Sequence, residues 1–131
     1  MNKDQLIARF KSFAIEVAML LKTLPKDAVN SAYSNQLIRS SSSAGANYRA
    51  ACRAKSTPDF INKLKIVEEE TDESIYFIEL LEHFNPQIEQ FKHLITERNI
   101  LLAITVKSLI TSRETLRAQI EKDRAKRNNA Q

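Results

Sequence analysis

One glycine, Gly45, and three prolines, Pro25, Pro58 and Pro86, are the only strong backbone breakers in 131 residues. Folds made of many short strands need a turn roughly every ten residues, and so many more breakers than this. A chain so poor in them is expected to be helical, with the prolines marking where helices stop. The apolar pattern agrees. Leu6, Phe10, Phe13, Val17, Leu21 and Leu24 recur at helical spacing, which predicts a first helix over residues 3–24. Pro25 ends it, because the residue before a proline is pushed out of the helical region. Ser56-Thr57-Pro58-Asp59 supplies a cap, a first-turn proline and an early carboxylate. Behind it Phe60, Leu64, Val67, Thr71, Ser74, Ile78 and Leu81 carry a helix over 57–83, broken at Asn85-Pro86. Ile88, Phe91, Ile95, Leu102, Val106, Leu109, Leu116 and Ile120 carry another over 87–126, whose basic end outruns its partners. Residues 128–131 are expected to fray.

The stretch between Asp27 and Lys55 decides the fold. It holds Ser40, Ser41, Ser42 and Ser43 followed by Ala44 and Gly45, a composition more usual in loops. A loop there would leave two short helices with little to bury. A single helix over 27–55, capped by Asp27, puts Val29, Tyr33, Leu37, Ala44, Tyr48 and Ala51 near one face. It costs about 1 kcal/mol of helix propensity at Gly45, which packing must offset. The expectation is an all-α, antiparallel up-down-up-down four-helix bundle, one domain over residues 1–127. Ser41, Ser42, Ala44 and Gly45 form its close-packing waist, against which another helix can approach closely. Helix three turns polar at the same level, with Glu70 and Glu73. Buried carboxylates need partners, so Arg39, Ser43 and Asn47 are expected to meet Glu70 and Glu73 in a polar layer, within the chain or across an interface.

Charge is segregated along the chain. Residues 1–65 carry a net +7, residues 66–82 a net −7 with no basic group, and residues 83–131 a net +4. The acidic block either faces solvent or pairs with basic faces of neighbours, and the remainder is a basic surface of the kind that neutralises phosphates. Its candidate nucleic-acid-binding groups are Arg49, Arg53, Lys55, Lys63 and Lys65 where helices two and three meet, and Arg113, Arg117, Lys122, Arg124, Lys126 and Arg127 on the last helix. Few aromatic residues accompany them, so stacking on single-stranded bases is not indicated.

Catalytic patterns are missing from the sequence. His83 and His93 follow Glu79 and Glu89 by four residues, whereas the di-metal sites of helical bundles use Glu-x-x-His. One glycine cannot build a phosphate-cradling loop. A serine inside a helix has no neighbouring base by default, and Cys52 reads as a small apolar group. No enzyme activity, metal, cofactor or small-molecule substrate is expected. With apolar residues at 43% a core can form, but no apolar run approaches the roughly 18 residues of a membrane span. The opening Met1 to Phe10 lacks the core of a signal peptide. The lone cysteine points to a reducing, cytoplasmic setting.

The run R-S-S-S-S-A-G-A-N-Y-R-A-A-C-R-A from Arg39, then S-x-x-D-F-I-N-K-L-K-I from Ser56 and E-x-D-E-S-I-Y-F-I-E-L-L from Glu70, resembles the four-helix-bundle proteins encoded in intervening sequences of bacterial 23S ribosomal RNA genes. It is also similar to the accessory variability protein of diversity-generating retroelements. The resemblance covers residues 10–85 and places Arg39, Ser43, Asn47, Glu70 and Glu73 at the family's polar positions. A glutamate common shortly after the asparagine is replaced here by Ala50. The resemblance implies ring-like homopentamers and, from the retroelement relatives, a reverse transcriptase and nucleic acid as partners. The function expected is therefore a self-associating bundle that contacts RNA, or a protein bound to RNA, through basic faces. The competing expectations are a structural or adaptor homo-oligomer with no affinity for nucleic acid, or, from the resemblance, an accessory factor of a retroelement reverse transcriptase.

Overall fold

In the computed structural model, which describes residues 1–130, four helices follow one another: α1 (Lys3–Leu21), α2 (Ala28–Ala51), α3 (Thr57–Phe84) and α4 (Gln90–Asn129). There is no strand among the described residues. Three of the helices start on side-chain caps that answer the free N–H groups of a first turn. Gln5 donates its backbone N–H to Asn2 Oδ1 at 2.8 Å while its own side chain accepts from the Asn2 N–H at 2.9 Å. Asp27 accepts from the Asn30 N–H at 2.8 Å, and Ser56 from the Asp59 N–H at 3.2 Å. α4 starts with no side-chain cap.

α2 runs unbroken through the serines and Gly45. Ser40 and Ser41 turn their hydroxyls back to the carbonyls of Leu37 and Ile38, at 3.3 and 3.4 Å. In that posture they present little bulk and no free donor to the interior. Helix ends depart from expectation by a few residues for identifiable reasons. α1 stops at Leu21 rather than residue 24, because Thr23 and Leu24 take tighter bonds to Leu20 and Leu21. α2 stops at Ala51, where Arg53 and Ala54 likewise bond to Ala50 and Ala51. α4 begins at Gln90 rather than 87, since the Ile88 N–H closes a turn on Asn85. The tail expected to fray from 128 is helical to Asn129, since nothing in the sequence stops α4 earlier; Gln131 lies outside the described residues.

Neighbours in sequence are neighbours in space. α1 packs on α2, α2 on α3, α3 on α4 and α4 back on α1, while the diagonal pairs do not meet. This is the up-and-down four-helix bundle. Phe10, Phe13, Leu37, Leu64, Val67, Ile78, Leu81, Phe91, Leu94, Leu101 and Leu109 are sealed in its core. Phe10 also stacks on Tyr48 at 5.1 Å between ring centres. α1 closes the ring against α4 partly by charge. Arg9 grips Glu97 through two bonds, of 2.5 and 3.0 Å, and His93 sits 3.2 Å from Glu16. At 40 residues α4 is about 60 Å long, against about 28 Å for α1 with 19. It leaves the bundle at the end where Lys3, Ser56, Thr57, Ser112 and Thr115 line one groove.

Candidate interaction surfaces

The polar cluster of α2 and α3 takes shape around Arg39. Its guanidinium bonds to Glu70 Oε2 at 3.2 Å and also to Glu73. The Coulombic pull of Glu70, with that of Glu73, holds the guanidinium above its ordinary value. Ser43 and Asn47 do not join it. Asn47 Nδ2 donates to the carbonyl of Ser43 at 2.8 Å and to its hydroxyl at 3.1 Å. The side chain is thus spent within its own helix and reaches neither carboxylate. Nor is the cluster an interior layer, because the Arg39 side chain is 48% exposed. A pair so exposed contributes little to stability on its own.

The buried polar contacts lie elsewhere. Ser40 and Ser74 share a hydrogen bond of 2.9 Å in the middle of the bundle, and both are fully buried. At the end opposite the α4 overhang, Asn30 and Asn85 exchange two amide bonds, of 3.3 and 2.8 Å. Each donates a further bond to a backbone carbonyl, Asn30 to Pro25 at 2.9 Å and Asn85 to Leu81 at 2.8 Å. Together they clasp the α1–α2 and α3–α4 connections. Sequence reasoning missed both pairs. The only local signals were Asn85 before Pro86 and Asn30 three residues after a cap, neither of which names a partner 55 positions away. Arg98 was also missed. It is 7% exposed, at a core-facing position of α4, with no partner for its Nε. Burial pushes its guanidinium below the ordinary value, against the opposing pull of Asp72 and Glu79.

At the waist, Ser41 and Ala44 are buried, Ser42 is exposed and Gly45 is half-buried. α1 passes beside the glycine at ordinary van der Waals distance: a Cβ built there would stand 3.5 Å from Phe10 Cβ. The bundle therefore brings α1 close without requiring that residue 45 be glycine. A groove of about 240 Å³ remains open above it, with Ala14, Ser42, Gly45 and Ala46 on its floor and Lys11 and Arg49 at its edge.

The basic groups divide into two sets. Arg49, Arg53, Lys55 and Lys65 are exposed around the α2–α3 turn, and none forms an ion pair among the described residues. Lys63 there is engaged with Asp59 at 2.7 Å. That hydrogen bond, with one from the Lys55 backbone N–H, holds the Asp59 carboxyl below its ordinary value. Lys3 and Lys55 share the lining of the nearby groove with the start of α3. The second set, Arg113, Arg117, Lys122, Arg124, Lys126 and Arg127, is exposed along the part of α4 that leaves the bundle. Among the described residues no group of His, Cys, Asp and Glu gathers in metal-binding geometry. No helix there is long and apolar enough to cross a membrane.

Fold and surfaces together define a class, the small up-and-down four-helix bundle whose polar residues serve pairing and surface charge. The family can be stated as well. Residues 3–107 match the model of the 23S rRNA-intervening sequence protein family, and the chain belongs to that family. Its fold is similar to the crystal structure of a protein of unknown function from the S23 ribosomal protein family of Bacteroides thetaiotaomicron. That likeness has a TM-score of 0.70 and 28% identity, and it covers 79% of this chain and 97% of the other. No curated protein matches the chain.

Proposed function

We propose that the protein is a non-enzymatic, cytoplasmic, self-associating bundle that contacts RNA, or a protein already on RNA, through the basic corner where α2 turns into α3. The observation that carries the reading is the set of unpaired cations at that corner. The side chains of Arg49, Arg53, Lys55 and Lys65 form no ion pair among the described residues, and Lys3 lines the groove that Lys55 lines. Unpaired arginines and lysines on one rigid corner are what phosphate neutralisation requires, and they fix position rather than read sequence. Self-association is supported by what the bundle leaves uncovered. Ile15, Met19, Tyr76 and Ile110 are each more than half exposed, and Glu68, Glu69, Asp72, Glu79 and Glu82 of α3 form no ion pair among the described residues.

Binding of a structured RNA measured over a series of salt concentrations tests the reading. Each phosphate neutralised adds about 0.7 to 0.9 to the slope of log affinity against log salt. Arg49→Glu with Arg53→Glu and Lys55→Glu should flatten that slope and weaken binding to every sequence alike. Absence of binding by the unaltered protein at low salt overturns it. The mass of the protein in solution, taken without RNA, tests the self-association half separately.

A further inference from the structure

From Arg117 to Asn129 every side chain of α4 is exposed. This arm is about 20 Å of helix beyond the bundle, and it lies past residue 107, where the match to the family ends. A helix in a protein is held mostly by the face it packs, so a partner is expected along the arm. The residues show which face receives it. Arg113, Arg117, Arg124 and Arg127 fall with Ile120 in one stripe about 80° wide and about 21 Å long. Ile95, Leu102 and Val106 lie on the same line within the bundle, and there they are half-buried. One face of α4 therefore changes from apolar to arginine where the helix leaves its neighbours. Lys122 and Lys126 lie on the opposite side of the arm.

Glu114, Glu121 and Asp123 flank the stripe within one helical turn. Even so, none of the four arginines forms an ion pair among the described residues, and Asp123 accepts from the Gln119 amide at 3.1 Å instead. The composition of the stripe limits what can lie on it. It offers one apolar residue, Ile120, where a helix face that packs on protein carries about three or four in two turns. Residues 92–131 hold no Phe, Tyr or Trp, so the arm gives bases nothing to stack on. Four cations in line on a rigid helix, with so little apolar and no aromatic company, fit a row of phosphates. The arm also starts in the right place. α4 leaves the bundle beside Lys3 and Lys55, so the arm and the basic corner of the α2–α3 turn stand at one end of the molecule.

We infer that the arginine face of the arm and the basic corner hold one segment of double-stranded RNA. The arm lies along the phosphates of the duplex, and the corner grips the same backbone where the arm begins. A duplex keeps its phosphates in a fixed row, which a straight stripe about 21 Å long can follow. A single strand is held by stacking, which the arm does not offer. Contacts of this kind recognise the shape of the duplex and leave its sequence unread. The inference rests on the RNA reading proposed above and adds to it the form of the RNA and a second contact.

Fluorescence anisotropy of the full-length protein with a blunt RNA duplex of about 16 base pairs, the span that shape readers of duplex RNA cover, tests it over a series of salt concentrations. The duplex should bind more tightly than either of its strands alone. Arg117→Gln with Arg124→Gln removes two phosphate contacts and should lower the slope of log affinity against log salt by about 1.8. Lys122→Gln with Lys126→Gln makes the same charge change on the other side of the arm and should leave the slope unaltered. All four positions are exposed, so both variants should fold, which their melting curves check. Equal binding of duplex and strands, equal losses in the two variants, or an unaltered slope in the arginine variant overturns the inference. An arginine variant that keeps its slope and loses mass in light scattering makes the arm a contact between copies, and the inference falls. If the arginine variant keeps its slope while the corner variant, Arg49→Glu with Arg53→Glu and Lys55→Glu, loses binding, only the arm's part falls and the RNA reading stands. No binding of the unaltered protein to duplex or strand at low salt removes both.

Discussion

Replacing Asn85 by alanine tests whether the bundle is held at its closed end by polar pairing or by apolar packing alone. Asn85 is 2% exposed and Asn30 5%. The substitution deletes three hydrogen bonds: the two exchanged with Asn30 and the one from Asn85 to the Leu81 carbonyl. At about 1 kcal/mol each the loss is about 3 kcal/mol. The stranded oxygen of Asn30, sealed from water, adds to it. For a domain of this size 1 kcal/mol shifts the melting temperature by about 4 °C, so thermal unfolding followed by circular dichroism should show a fall of about 12 °C. Asn30→Ala should cost a similar amount, since it removes the same pair together with the bond to Pro25. The double variant decides the matter. If the amides act as a unit, the second substitution adds little once the first is made. A fall below about 3 °C for Asn85→Ala, or single effects that add in the double variant, would refute the clasp.

Three further substitutions follow from the geometry. Gly45→Ala should raise the melting temperature by about 4 °C, because it recovers about 1 kcal/mol of helix propensity and its Cβ enters ordinary contact with Phe10; a decrease would mean that α1 lies closer than the structure has it. Thr71→Val should also stabilise, by about 1 kcal/mol in denaturant unfolding, since the Thr71 hydroxyl is buried without a partner and valine has the same shape. The Arg9–Glu97 pair makes an acid-side prediction. The hydrogen bond from Arg9 holds the Glu97 carboxyl below its ordinary value, so the unfolded chain takes up that proton at higher pH than the folded one does. The pair's contribution is therefore complete above the ordinary glutamate value near pH 4.5 and is lost as pH falls through the lowered one. Melting curves of the unaltered protein and of Glu97→Gln should differ at pH 7 and converge as the pH falls below the ordinary glutamate value, and a gap that stayed constant with pH would refute the assignment.

How far the sequence could be read depends on which physical rule was at work. Helix number and order follow from three prolines and the period of the apolar residues, both local properties, and the continuity of α2 followed from asking what two short helices could bury. The ends were less legible. A helix stops where a tighter turn captures its last carbonyls, as Thr23 and Arg53 do, and no periodicity encodes that. Arg39, Glu70 and Glu73 were singled out because charged groups stand out on a stripe, and the structure places them together. Ser43 and Asn47 were grouped with them by helical face alone, but an asparagine one turn from a serine finds that serine first. The Ser40–Ser74 and Asn30–Asn85 pairs lie 34 and 55 positions apart, and a serine or asparagine in isolation carries no sign of such a partner.

The distribution of these long-range polar pairs bears on how the surfaces come to be where they are. Apolar stripes specify which faces of two helices meet but only weakly how far one slides along the other, since a shift of one turn, about 5.4 Å, sets leucine against leucine again. Hydrogen bonds do not survive such a shift. Ser40 with Ser74 fixes α2 against α3 at mid-height. Asn30 with Asn85 ties the two connections at one end, and Arg9 with Glu97 fixes α1 against α4. With the α2–α3 and α1–α4 contacts pinned, and α1–α2 and α3–α4 each joined through a short connection at the clasped end, the whole bundle has one register. That register sets the basic corner beside Lys3, leaves Asp72 and Glu79 of α3 exposed, and carries the arginines of α4 clear of the bundle at the end opposite the clasp. A one-turn slip of α3 would keep the core apolar and still shift the α3 carboxylates by about 5.4 Å against the other helices. The buried polar residues therefore serve the charged surface as much as the core. On this argument the double Asn30→Ala, Asn85→Ala variant should weaken self-association beyond what its lost stability explains.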